Sequence, residues 1–459
     1  MEENKNKSNI IKNEDSEKQR QLNDKMKIKF LNSFIIESLP EQSDDKLKEI
    51  KDILAYNNEE TEESITQNEN KKFEDIFEYR KELNLKKLVK RFHLFYYECK
   101  NPDDDEIIYK LGKILLFTYG KNFPKLTNFK NQKSFTSDTN WGCMIRCGQM
   151  ILSRGIYRVL KSKKINTKDA IYYTYSLFND HPIVKRNLHK YFHGMLNKFY
   201  KLTKENDGET NNKKIKEFFP PFSIKTICDF GELNERAAGE WFSDVIMTYI
   251  IKNISEYYEL FNNPELNLKI MNFQSSIEIQ EILNNCFIEK KYEKGNEKYI
   301  RLNDKTYYFD KMGIIFVNVR IGLDEIPKEY FKGIKELFNL KECIGIIGGK
   351  TRLAYYFIGY NDEEDSLLYL DPHLTIENDK VINTNNILSK HILKKVCLLK
   401  MSKMSKGFTI GFCFRTYEEF LNLYEFCVKA KQNNLQIFGF VKKSIVMDIK
   451  DNDKDGDDF

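Results

Sequence analysis

After residue 143 the apolar positions recur at helical spacing: Ile145, Leu152, Ile156 and Val159 share one face, with Gly148 on the same stripe. The pattern predicts an amphipathic helix with Asn140 as its N-cap and Cys143 in its first turn. Further helical stretches follow, among them WFSDVIMTYIIKNI at 241–254. From about residue 314 the period changes. IIFVNVRI reads as a buried strand, PKEYFKGIKELFN as a helix, and LAYYFIGY and LLYL as two strands of a hairpin closed by NDEEDS. GFTIGFCF is another strand, and YEEFLNLYEFCVKA a helix with Phe420, Tyr424 and Cys427 on one face. Helices first and an antiparallel sheet second predict an α+β fold.

Elsewhere the pattern fails, and composition explains why. Residues 1–85 are rich in Lys, Glu, Asn, Asp and Ser, and read as a largely disordered low-complexity segment. Polar stretches at 203–217 and 290–305 read as loops or insertions, and 431–459 as a tail with an acidic end. The chain of 459 residues carries 74 Lys+Arg against 69 Asp+Glu, intermixed along the sequence, which argues against a nucleic-acid partner. The N-terminus has no apolar leader and no segment approaches ~18 uninterrupted apolar residues, so a soluble cytoplasmic protein is expected. The nine cysteines are odd in number, irregularly spaced and without a C-x-x-C pair. That pattern points away from a disulfide framework or thiolate zinc site and towards reduced thiols.

Within this frame a few residues carry chemistry. A helix N-terminus favours thiolate over thiol, so Cys143 in TSDTNWGCMIRCGQM is a candidate nucleophile. Of six histidines, His373 follows a strand in YLDPH, with Asp371 two positions earlier and Pro372 holding the backbone extended between them. Strand geometry would place both side chains on one face, where a carboxylate can orient an imidazole. His189 and His193 have i, i+4 metal spacing but no third ligand, and read as a solvated helix face. GGKT at 348–351 is no phosphate-binding loop, because Ile344 stands where the first glycine is needed; its glycines suggest a mobile loop between strands.

Several blocks in order resemble the autophagins, cysteine proteases that process and delipidate ubiquitin-like autophagy modifiers. They are FTYGKNFP at 117–124, TSDTNWGCMIRCGQM at 136–150, FSIKTI at 222–227, GEW at 239–241, RIGLDEI at 320–326, GIIGGKTRLAYYFIGY at 345–360, LLYLDPH at 367–373 and GFTIGFCFRTYEEF at 407–420. The resemblance implies a papain-like peptidase domain over 86–430, with Cys143 as nucleophile, His373 as general base and Asp371 orienting it. It implies that Tyr119 completes an oxyanion hole with the Cys143 backbone N–H. It also implies that Trp241 covers access to the nucleophile, and that a loop from Gly348 through Gly349 and Lys350 to Leu353 lifts for substrate. The expected substrates are a modifier precursor and its phosphatidylethanolamine conjugate. They would be handled by a monomer without metal or cofactor, meeting membrane only transiently through the lipidated substrate. Cys147, one turn beyond Cys143, is expected to be structural.

Three positions depart from the resemblance. Gly120 replaces an arginine, Ser243 and Asp244 replace a Gly-Pro pair after the tryptophan, and Tyr355 replaces a histidine. Phe438 to Val441, FGFV, fits an aromatic-x-x-aliphatic pattern that can add a strand to a partner's sheet. Two other readings compete: a protease for a different ubiquitin-like modifier, and a non-catalytic adaptor that binds the modifier.

Overall fold

The computed structural model describes residues 92–99, 113–184, 217–261, 266–292, 298–302, 305–322, 326–350, 353–361, 364–378, 387, 390–391 and 396–441. The segment 1–85, most of the 203–217 stretch, His189, His193 and the chain after 441 lie outside the described residues.

In chain order the first strands are β1 (Phe92–Leu94), β2 (Tyr97–Cys99), β3 (Tyr119–Thr127), β4 (Ser134–Ser137), β5 (Ile183–Val184) and β6 (Glu217–Phe218). Interleaved with them are helices α1 (Cys143–Ser162) and α2 (Thr167–Ser176), followed by α3 (Ile224–Glu232) and α4 (Asp244–Tyr257). Next come β7 (Leu268–Gln274), β8 (Ser276–Glu278), α5 (Ile279–Cys286), β9 (Phe287–Lys290), β10 (Tyr299–Leu302), β11 (Lys305–Phe309) and β12 (Met312–Arg320). The chain continues through α6 (Glu329–Asn339), β13 (Cys343–Lys350), β14 (Leu353–Asn361), β15 (Ser366–Leu370), β16 (Thr375–Glu377), β17 (Cys397–Lys400), β18 (Gly407–Phe414), α7 (Tyr417–Gln432) and β19 (Gly439–Val441).

A nine-stranded sheet in the order β17-β15-β14-β13-β18-β12-β7, with β1 paired to β14 and β2 to β1, forms the centre. The sheet is mixed rather than purely antiparallel, because β7 and β12 run parallel. Between those two strands the chain makes a long excursion through α5 and the three-stranded sheet β10-β11-β9, and a crossover of that length allows a parallel return. Ile314 to Val317 are all fully buried, as an unbroken apolar strand covered on both faces must be. The expected hairpin is present, with β14 and β15 paired antiparallel.

Helix α1 departs from the one-faced pattern. Every residue from Cys143 to Leu160 except Arg154 is buried. The helix packs against β13, β14 and β18 and also against α2 and α4, so its polar positions are enclosed as well as its apolar stripe. Asn140 is not its N-cap. That residue has φ 71°, a left-handed conformation, and Gly142 occupies the cap position without a side-chain bond. The turn is closed instead by the Asp138 carbonyl, which accepts from the backbone N–H groups of Trp141 and Gly142.

Two stretches read as loop or tail contain strands. Within 290–305, β10 buries Tyr299, Ile300 and Leu302, a short apolar alternation hidden among lysines and glutamates. Beyond residue 430, Phe438 is buried with its ring 5.7 Å from Phe412, and β19 pairs parallel with β8. Removing so large a buried ring leaves a cavity, so Phe438→Ala is expected to cost about 3 kcal/mol in urea unfolding. A loss below about 1 kcal/mol would mean that the segment only lies on the surface.

Candidate active site

Cys143 is the first residue of α1 and is buried, so its thiol stands where a helix end stabilises negative charge. Cys147, one turn further, is fully buried, and burial pushes its thiol well above the usual range. It stays protonated and has no nucleophilic form to offer.

The second component comes from the end of β15. The strand stops at Leu370, so period-two geometry does not align Asp371 with His373. A side-chain turn does so instead. Asp371 Oδ1 accepts from the backbone N–H of His373 at 3.0 Å and from its Nδ1 at 2.5 Å. This leaves Nε2 as the free end of the ring, buried and without a hydrogen bond of ordinary geometry to any described group. Burial by itself would lower the imidazole's pKa. The Asp371 hydrogen bond, and after it the Cys143 thiol, overcome that and raise it to about 9. The carboxylate, the imidazole and the thiol thus form one electrostatic unit.

Tyr119 opens β3. Its backbone N–H donates to the carbonyl of Pro372 at 2.9 Å, and β16, immediately after His373, pairs parallel with it in the register Thr375 to Tyr119. The strand that Tyr119 opens is therefore laced to the Asp-Pro-His segment by main-chain pairing on both sides of His373. Its ring meets the His373 ring edge-on at 5.5 Å. Burial, reinforced by the Cys143 thiol, holds its phenol far above the ordinary value, so the hydroxyl remains a proton donor.

Beneath these residues lies a polar cluster that the sequence pattern does not reveal. Arg146 pairs with Asp138 at 2.7 Å and with Asp180 at 2.8 Å, all three side chains being almost sealed from water. Burial pushes the Asp138 carboxyl up against the pull of Arg146, while the two carboxylates hold Arg146 protonated; the short two-sided pairing favours the ionised cluster. Asp138 also accepts from the Gly120 N–H at 2.6 Å, and Asp180 accepts from Asn378 at 2.7 Å and from the Ile224 N–H at 3.0 Å. Gly120, where the resemblance has arginine, is explained by Asn378: a Cβ at 120 would lie 2.5 Å from its amide nitrogen. A clue was available in the sequence. A cation in the first turn of a helix opposes the helix dipole and calls for acidic partners.

Trp241 is 40% exposed, and its indole N–H donates to the Asn140 carbonyl at 3.0 Å, tying it to the turn that leads into Cys143. The residues after it are not disruptive. Ser243 caps α4 by accepting from the Ile246 N–H, and Asp244 accepts from Thr409 at 2.9 Å within a polar group that includes Asn318 and Thr248. Gly348, Gly349 and Lys350 are not a loop. They end β13, in register with Tyr355, Ala354 and Leu353 of β14, and only residues 351–352 of the connection lie outside the described residues. A Cβ on Gly349 would sit 1.8 Å from the Leu353 carbonyl oxygen, so this tight hairpin requires glycine. Through Tyr355, whose ring is 5.7 Å from His373, the hairpin adjoins the imidazole.

The grouping has the parts of a thiol hydrolase, and comparison with known proteins agrees. The description "Peptidase C54 catalytic domain" fits residues 104–426. The chain belongs to the peptidase C54 family. Cysteine protease ATG4C of Xenopus laevis is 27% identical over 346 residues, covering 71% of this chain and 71% of that relative. Cysteine protease ATG4B of Gallus gallus is 25% identical over 354 residues, covering 72% of this chain and 78% of its own. Cysteine protease ATG4C of Homo sapiens is 24% identical over 361 residues, with 71% and 72% covered. As a C54 member the chain is an autophagy-related cysteine peptidase with a papain-like α+β fold.

For this C54 peptidase the raised imidazole gives a pH dependence whose sign follows from the shift. Below about 9 His373 carries its proton and can deliver it to a departing amine; above that value it loses it. Peptidase activity should therefore fall on the alkaline side with a midpoint of about 9, and the His373 NMR resonance should titrate there. The same shift contributes stability at pH below the ordinary imidazole value, and that contribution is lost as pH rises through about 9. Asp371→Asn should move the titration towards 6.5. A wild-type midpoint near or below 6.5 would contradict the coupling.

Proposed function

We propose that this peptidase cleaves after the C-terminal glycine of a ubiquitin-like autophagy modifier, both trimming the precursor and releasing the modifier from phosphatidylethanolamine. The observation that carries the reading is the His373 imidazole, held by Asp371 on one nitrogen and electrostatically coupled to the Cys143 thiol. It stands in a chain whose curated relatives are named as ATG4 cysteine proteases.

The chemistry runs as two acyl transfers. The Cys143 thiolate attacks the glycine carbonyl, and the oxyanion accepts hydrogen bonds from the Tyr119 hydroxyl and the Cys143 backbone N–H. As the C–N bond breaks, the His373 imidazolium gives its proton to the leaving amine, which belongs to the C-terminal peptide or to the lipid headgroup. A water molecule then attacks the thioester; neutral His373 takes its proton, and collapse returns the thiolate and frees the glycine carboxylate. Trp241 and the Gly348–Lys350 hairpin end form the walls past which the modifier tail is threaded. No metal or cofactor takes part. The enzyme acts in the cytoplasm as a monomer and meets membrane through its lipidated substrate; among the described residues no helix is long and apolar enough to cross a bilayer.

The decisive experiment incubates purified protein with a modifier precursor and with its lipidated form. Wild type should cleave both, whereas Cys143→Ala should cleave neither while still binding them; Cys147→Ser should keep most activity. Replacing the scissile glycine by alanine should lower kcat/KM by about 100-fold, because a Cβ displaces the carbonyl from the thiolate. Trp241→Ala should narrow that gap. Comparable cleavage by Cys143→Ala would overturn the nucleophile assignment, and unchanged discrimination in Trp241→Ala would place glycine selection elsewhere.

A further inference from the structure

Asp371 fixes the His373 ring at a single nitrogen, Nδ1. A ring held at one edge can still swing about that bond, which would carry Nε2 away from the thiol by the small distances that matter for proton transfer. Nε2 has no hydrogen bond of ordinary geometry, and its coupling is to the Cys143 thiol. Packing has to supply the rest of the restraint.

Two tyrosines supply it. Tyr119 meets the imidazole at 5.5 Å with the ring planes 83° apart, and Tyr355 meets it at 5.7 Å and 73°. Both are near-perpendicular contacts of the kind aromatic rings prefer. Tyr355 is itself fixed. It is buried in β14 in register with Gly348, and its ring lies 4.2 Å from that of Tyr369 on the neighbouring strand β15. Tyr369 in turn sits two positions before Asp371. One side of the imidazole is thus braced by the strand that carries Tyr119, and another by a stack rooted in the same strand that delivers Asp371.

We infer that Tyr355 is a positioning residue for the proposed acid–base step: its ring, through its contact with His373, keeps Nε2 directed at the Cys143 thiol. The residue stands where the resemblance has histidine. A tyrosine there braces the imidazolium without adding a second group that titrates near neutrality, since burial raises its phenol further still. Its contacts with Phe357, Tyr369 and His373 are made by the ring, so the ring and not the oxygen is assigned the role.

This inference rests on His373 acting as the proposed base, and the test separates the two. Kinetics with the modifier precursor would be measured for Tyr355→Phe, Tyr355→Leu, Tyr355→Ala and His373→Ala in the full chain. Tyr355→Phe should keep wild-type kcat. Tyr355→Ala, and Tyr355→Leu as the variant that keeps an apolar side chain without a ring, should lower kcat by about 10- to 100-fold with KM changed less than about threefold. The alkaline midpoint of the activity should also move in Tyr355→Leu, which loss of stability alone would not cause. Wild-type kcat in a folded Tyr355→Leu protein would overturn the inference, as would an equal loss in Tyr355→Phe, which would assign the effect to the hydroxyl. Retained cleavage by His373→Ala would instead overturn the proposed base.

Discussion

The pairing of Arg146 with Asp138 and Asp180 is the fastening on which the catalytic end of the molecule depends. An arginine in the first turn of α1 faces an unfavourable helix dipole and is almost wholly withdrawn from water. Its two carboxylates, with the Gln149 side-chain oxygen that accepts from it at 3.1 Å, make that position tenable, and removing one carboxylate of such a buried set costs about 3–5 kcal/mol. The carboxylates are themselves committed outward. Asp138 reaches the backbone next to Tyr119, and Asp180 reaches the start of α3 and the residue after β16. One guanidinium therefore relates the helix that bears the thiol to the strand that bears Tyr119 and to the segment that follows the imidazole.

Above that fastening, burial is turned to opposite ends at neighbouring groups. It suppresses ionisation of Cys147 and Tyr119, keeping one thiol inert and one hydroxyl a donor. At His373 it works against protonation and is overcome by a single carboxylate oxygen used twice, on the backbone N–H and on Nδ1. The difference lies in partners rather than in depth. A buried group keeps its charge where a counter-charge is in contact with it, and loses it where none is.

What the sequence revealed follows the range of the forces involved. Local signals were readable: the helix after Cys143, the β14–β15 hairpin and the Pro-stiffened Asp371–His373 pair all rest on residues within a few positions of each other. The misreadings came from context. Asn140 has the chemistry of a cap but is held left-handed by the turn that Asp138 closes. Gly348 and Gly349 look like loop glycines until β14 is brought against them. The Arg146 cluster gathers Asp138 and Asp180 from separate segments, with Asn378 far along the chain, and such charged residues read as solvated surface until the fold encloses them. Likewise, the apolar alternation of β10 is too short to stand out from its charged flanks.

The strand pairing of Gly439–Val441 with Ser276–Glu278 has a thermodynamic implication for the FGFV segment. Phe438 is already spent on the core beside Phe412, and Phe440 rests on Tyr424. A partner that took up this segment as an added strand would first have to wait for it to leave β8. Its apparent affinity would then be its intrinsic affinity multiplied by the fraction of molecules in which the strand is free. Conditions that loosen the end of the chain would tighten such binding, and conditions that stabilise the fold would weaken it.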